Sequence, residues 1–214
     1  AAPAESDGHL YIPDHFRVAD RAEITAFLAG HPFAVLVTAD DQGVPFATHL
    51  PLIHRPGAGE HGSLLGHVAR ANPHARLLES RPSLAVFSGP HAYVSPRWYA
   101  AGPAVPTWNY AAVHAVGRAR LLTDPAEVRG LLAELTARYE TGDAGAWTVD
   151  GNADLVERLL PGIVAFELRL TSVEAKFKLG QNRSEADRAG AAGALAGSSD
   201  PAARDTAALM RGGR

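Results

Sequence analysis

Residues 33–53, FAVLVTADDQGVPFATHLPLI, decide the fold. Two apolar runs, Phe33–Thr38 and Val44–Ile53, flank a DDQG turn and read as paired strands of a hairpin. Just upstream, DRAEITAFLAG (20–30) reads as a short helix with Asp20 as N-cap and Gly30 as its stop. Downstream, RPGAGEHG is a loop, SLLGHV a further strand and ANPHARLLES the opening of a helical turn. SLAVFSGP is a strand predicted to end at the Gly89–Pro90 break, and residues 89–109 read as an ordered surface loop rich in Gly, Pro and aromatics. A long strand is predicted from Tyr110 to Leu122. A helix follows, started by Asp124–Pro125, then a second one (NADLVERLL) ended by Pro161. IVAFELRLTSVEAKFKLG alternates as a long strand or a bent pair, and the Ala- and Gly-rich tail from Ser184 carries one or two weak helices. Strands thus follow one another and helices come late. That order predicts an α+β fold around an antiparallel sheet, a closed or split β-barrel with peripheral helices and a helical C-terminal tail. No G-x-G-x-x-G follows the first strand, so a dinucleotide-binding Rossmann fold is excluded. The organisation expected is a flexible N-terminus over 1–9, a cofactor-binding barrel over 10–183 and the tail over 184–214.

The 214 residues carry 20 Lys+Arg against 23 Asp+Glu, for a formal net charge of −3, with 46% hydrophobic and 20% charged residues. These proportions suit a folded globular domain and speak against a protein devoted to neutralising phosphate backbones. The absence of cysteine excludes disulfides, thiolate zinc sites, iron–sulfur clusters and a thiol nucleophile. With no apolar run long enough to span a bilayer and no basic, apolar leader, the expected address is cytoplasmic. All but two of the basic residues are arginine. The lysines, Lys176 and Lys178, stand together in one alternating segment.

Three segments concentrate polar groups beyond what folding needs. In GHVARANPH (66–74), Gly66 permits a close approach, His67 sits at a strand end, and Arg70 and Asn72 suit a phosphate or carboxylate. The alternative for His67 is a structural histidine bonded to a carbonyl. GPHAYVSPRWY (89–99) with PTWNY (106–110) suits the wall of a flat cofactor pocket or, equally, a dimer interface. In KFKLGQNR (176–183), Lys176 and Lys178 share one face and Phe177 and Leu179 the other, so the lysines either meet anions in a pocket or are merely solvated. No G-x-S-x-G elbow and no basic helix pair is present, so neither a serine hydrolase of that type nor helix-turn-helix recognition is supported.

LYIPDHF (10–16), ATHLPL (47–52), GHVARANPH (66–74), SGPHAYVSPRWY (88–99), VPTWNYAAVH (105–114) and KLGQNR (178–183) together resemble the PaiB-like family of FMN-binding transcriptional regulators, over about residues 10–190. The resemblance implies a split β-barrel homodimer with a flat cofactor at or near the subunit interface. A heme-binding branch, the piperazate synthases, is similar in three further respects. These are the short AAGPAV connection (100–105), LLPG with a following AF (159–162, 165–166) and the GSSDPAARDTAALMRGG ending, whereas QNRSEADR (181–188) is closer to the regulators. On the synthase reading, His67 matches the family's axial heme ligand. Arg70, Asn72 and Lys178 are then candidates for holding propionates or a substrate carboxylate, and Tyr93, Trp108 and Asn109 line the macrocycle or substrate space with His49 nearby. Lys178, Tyr93 or a pocket histidine would move protons. The implied reaction cyclises N5-hydroxy-L-ornithine to L-piperazic acid with loss of water, on heme b. The alternatives are an FMN-binding regulator or sensor with a DNA or protein partner, and a flavin oxidase or heme-degrading relative on the same barrel. Direct nucleic-acid binding is not expected from the charge and motifs.

Overall fold

The computed structural model describes residues 8–100, 102–141 and 145–212. A short strand β1 (Arg17–Val18) leads to α1 (Arg21–Gly30), where Asp20 Oδ1 accepts hydrogen bonds from the N–H of Ala22 (2.8 Å) and Glu23 (3.4 Å). A side-chain acceptor there satisfies donors that any helix start leaves unpaired. The hairpin follows as β2 (Phe33–Ala39) and β3 (Pro45–Pro51), with Val35 opposite His49 and Thr38 opposite Phe46. Asp40 holds its turn by accepting from Gln42 N and Val44 N, and Gly43 adopts the φ of +81° that the reversal requires.

A second hairpin pairs β4 (Ile53–Arg55) with β5 (Ser63–Ala69), after which α2 (His74–Leu77) makes one turn. The remaining elements are β6 (Pro82–Val94), β7 (Thr107–Leu122), α3 (Pro125–Tyr139), α4 (Ala153–Leu159), β8 (Ile163–Lys178), α5 (Glu185–Ala196) and α6 (Pro201–Gly212). The sheet runs in the order β3-β2-β6-β7-β8-β5-β4, with β1 paired to β8. This is the α+β, antiparallel architecture that the order of strands and helices predicts.

The chain divides into two compact units. One draws on residues up to Phe27, Phe87–His114 and Glu174 onward; the other on Leu28–Val86 and Ala115–Val173. In the second unit, alternation along the strands leaves Leu36, Leu64, Ala85, Phe166 and Leu168 at 0% exposure. There α3, capped by Asp124 through Ala126 N (2.9 Å), buries Leu131 and Leu135 against Ile53, Leu122 and Ala165. Each such leucine contributes about 1.5–3 kcal/mol. Arg55 and Glu134 add an ion pair at the rim of that contact. In the first unit the Phe27 and Phe177 rings meet with centroids 5.0 Å apart, and α5 and α6 bury Leu195 and Met210 among alanines.

Two expectations change. The strand expected to stop at Gly89–Pro90 continues to Val94, so the irregular stretch between β6 and β7 is only 95–106. A Cβ on Gly89 would stand 2.6 Å from the Phe27 ring, so this glycine marks a close approach within the strand. The tail forms two full helices of 12 residues each, because alanine both favours helix and lets helices pack closely.

Candidate functional site

The sequence-predicted residues fall into two groups, one in each unit. His67, Arg70, Asn72 and His49 belong to the second unit; Tyr93, Trp108, Asn109 and Lys178 belong to the first.

Strand register sets the surroundings of His67. It lies opposite Ala165, and Ala69 lies opposite Ile163, so these residues share one face with Leu65. Leu64, Gly66 and Val68 turn the other way, into the core. A Cβ on Gly66 would stand 2.6 Å from Leu52 Cδ2 and 3.4 Å from Phe166 Cζ, so this glycine serves the packing behind His67 rather than access to its front. His67 itself is half-buried, with Leu65, Ala69, Ile163, Ala165 and Glu167 on the same face, and its Nδ1 is enclosed with no hydrogen-bond partner among the described residues. Burial pushes its pKa below the usual histidine value. The ring is therefore neutral at pH 7, with a nitrogen lone pair available. Among the described residues, no carbonyl holds it.

Arg70 pins the turn before β8. Its Nε donates to Pro161 O (2.6 Å), its Nη2 to Ile163 O (2.9 Å) and its backbone N–H to Gly162 O (2.8 Å). Among the described residues, Nη1 is the donor nitrogen left over. The side chain also borders an apolar cavity of about 340 Å³ walled by Leu122, Val128, Ile163 and Ala165. Asn72 is committed to structure on both sides, donating from Nδ2 to Thr48 Oγ1 (3.1 Å) and accepting at Oδ1 from His74 N (3.0 Å). His49 is exposed on β3, stacked on Phe33 with centroids 6.3 Å apart.

Sequence reasoning missed His74. It is fully buried, and its pKa is lowered by that burial. Its Nε2 lies 2.8 Å from Thr38 Oγ1, its Nδ1 lies 2.9 Å from Thr48 Oγ1, and Thr38 Oγ1 is 2.6 Å from Ser83 Oγ. The network draws on β2, β3, β6 and the start of α2, which no local motif reveals.

In the first unit Phe177 is buried, so both lysines lie on the opposite face, yet neither is simply solvated. Lys176 is 7% exposed, donates from Nζ to Tyr11 O (2.8 Å) and lies 5.2 Å and 5.5 Å from the Tyr11 and Tyr110 ring centres. Lys178 is half-buried and donates to Trp108 O (2.7 Å) and Thr107 Oγ1. Desolvation lowers its pKa, with Lys176 and Arg183 adding like-charge repulsion. Such an ammonium gives up a proton more readily than an ordinary lysine. Tyr93 meets Trp108 edge-on at 6.1 Å, and both rings are open to solvent. Asn109, the next residue on the strand, turns inward and donates to Met210 Sδ (3.4 Å). No cluster of three or more metal-ligating side chains occurs among the described residues.

Residues 10–172 match the family described as "Putative FMN-binding domain". The chain belongs to this family. Its PaiB-like character is carried by the "Protease synthase and sporulation protein PAI 2" of Bacillus subtilis, 37% identical over 203 residues that cover 94% of this chain and 96% of the relative. Among solved structures, the FAD and heme binding protein from Mycobacterium smegmatis aligns with a TM-score of 0.58 at 21% identity, covering 81% of this chain and 78% of that one. The flavocytochrome Anf3 from Azotobacter vinelandii aligns with a TM-score of 0.56 at 20% identity, covering 81% and 75%. At these identities the likeness establishes the fold, the FMN-binding split barrel. Among the described residues, no helix is long and apolar enough to cross a membrane.

Proposed function

We propose that this FMN-binding-family protein is a heme b enzyme that cyclises N5-hydroxy-L-ornithine to L-piperazic acid, with His67 as the protein ligand to iron. The observation that carries the reading is the imidazole itself: neutral, half-buried, opposite Ala165, and with its enclosed Nδ1 lacking a hydrogen-bond partner among the described residues. A structural histidine in that position ordinarily bonds a carbonyl or hydroxyl, and leaving an enclosed nitrogen unpaired costs about 1–3 kcal/mol. Coordination through the other ring nitrogen gives the neutral ring a role that offsets this cost. The short 100–105 connection, the LLPG turn and the Ala-Leu-Met ending support the same branch. So do relatives of the same fold whose names record heme or flavin.

The reaction forms an N–N bond, breaks an N–O bond and releases water, with no net oxidation or reduction. When bound, the heme iron would supply Lewis acidity toward the hydroxylamine and a transient reservoir of electron density. His67 would hold the iron. Arg70 Nη1, the free nitrogen of a guanidinium already fixed by Pro161 and Ile163, is the donor in the same unit suited to a carboxylate. The protein is expected to act as a homodimer.

The second reading, an FMN-binding PaiB-like regulator, is favoured by the 37% identity with PAI 2 along nearly the whole chain. An absorption spectrum of protein purified after heme-supplemented expression separates the two. A sharp Soret band, with conversion of N5-hydroxyornithine to piperazic acid, is the expected result. The paired broad bands of oxidised flavin and no turnover would put the regulator in its place.

A further inference from the structure

The first unit holds an open aromatic cleft that contains Tyr93 and Trp108, which the resemblance assigns to the macrocycle or substrate space, together with His91, Trp98 and Asp200, to which it gives no role. Its volume is about 470 Å³, and it lies between the 91–98 segment, the start of β7 and the α5–α6 pair. Its walls include four aromatic side chains, His91, Tyr93, Trp98 and Trp108. Tyr93 and Trp108 remain 45% and 54% exposed, an unusual state for rings that would otherwise be covered. His91 and Tyr93 both contact the Trp108 ring, at 6.2 Å and 6.1 Å between centres, so the aromatic wall is continuous. The floor is the alanine-rich surface of α5 and α6, which adds no bulk. Among the lining residues one carries a formal charge: Asp200.

Asp200 also starts α6. Its Oδ1 accepts from Ala202 N (3.0 Å) and its backbone N–H donates to Ser198 Oγ (3.1 Å). One carboxylate oxygen is thereby fixed by the helix, and the other has no hydrogen-bond partner among the described residues. Arg204, the nearest basic side chain along α6, is turned to the carbonyls of Ser198 and Ser199 and does not line the cleft.

Aromatic faces carry a negative quadrupole, and rings grouped beside a single carboxylate make a site for a weakly hydrated cation. We infer that the His91–Tyr93–Trp98–Trp108 cleft with Asp200 binds an organic ammonium ion, best a methylated one. Methylation spreads the charge over an apolar surface that stacks on rings and is easily stripped of water. The inference goes beyond the heme reading and does not depend on it.

The test is calorimetric titration of the purified full chain with choline and with its uncharged carbon isostere, 3,3-dimethylbutan-1-ol. Choline is expected to bind at least tenfold tighter. Asp200→Asn keeps the helix cap, since asparagine caps as well as aspartate, and removes only the charge; it should weaken choline binding about tenfold and leave the isostere unchanged. Trp98→Ala should weaken both. Equal affinity for choline and its isostere, no binding of either, or full choline affinity in Asp200→Asn would each overturn the inference. The visible spectrum of the same sample, recorded before titration, reports the prosthetic group separately, so failure of one reading is not mistaken for failure of the other.

Discussion

Replacing His67 with alanine is expected to abolish heme retention and to leave the fold almost as stable as before. The parent, purified with heme, should show a Soret band; His67→Ala, prepared identically, is expected to retain at least a hundredfold less heme per chain. The stability part follows from what the side chain does not do. It makes no hydrogen bond among the described residues, so its removal strands no donor or acceptor, and it deletes one enclosed nitrogen that lacks a partner. The lost apolar contact and the relieved nitrogen oppose each other, and the net change should stay within about 1 kcal/mol. Added imidazole should enter the vacated space and restore part of the band, because a neutral ring is all that the site lacks. A histidine holding the fold would behave in the opposite manner. Its loss would lower the unfolding midpoint in urea by an amount worth about 2–4 kcal/mol, with the spectrum following only as the protein unfolds. Spectrum and midpoint, measured on one preparation, separate a ligand from a core residue.

Much of this architecture is written locally and was legible. Asp20, Asp40 and Asp124 each announce a helix start or a turn through a short side chain that pairs with nearby N–H groups, and all three do so. What depended on partners from elsewhere in the chain was not legible. Gly66 and His67 are adjacent and so take opposite faces; only the pairing with β8 and the packing of Leu52 and Phe166 reveal what each face meets. Gly89–Pro90 carries a break signal, but the Phe27 ring opposite converts it into a tight strand contact. Lys176 and Lys178 share a face, as their spacing requires. The fate of that face rests on Tyr11 and Tyr110, which come from distant parts of the sequence. Trp108 and Asn109 are neighbours in PTWNY; the alternation of a strand sends the first to solvent and the second to Met210.

His74→Ala is the substitution expected to cost most in stability, about 2–4 kcal/mol, from a buried cavity together with hydrogen bonds left unmade. A neutral ring satisfies the whole network. Asn72 Nδ2 donates to Thr48 Oγ1, Thr48 donates to His74 Nδ1, His74 Nε2 donates to Thr38 Oγ1, and Thr38 donates to Ser83 Oγ, the tautomer being assigned from these partners. A protonated ring would have to donate from both nitrogens, reversing Thr48 while it already accepts from Asn72. Burial acts in the same direction, holding the folded pKa below the value near 6.5 of an unfolded chain. The sign follows from proton binding. Above the unfolded pKa neither state is protonated and stability is at its plateau; as pH falls below it, the unfolded chain takes up a proton that the native ring refuses, and stability declines until the folded pKa is reached. His67, also lowered by burial, adds a second decline in the same window. Urea midpoints between pH 7.5 and 5 should therefore fall in the parent. In His74→Gln they should start lower and fall less steeply, by the share of one proton, while His67→Ala removes the other share. A His74→Gln midpoint that falls as steeply as the parent's would show that His74 does not carry this dependence.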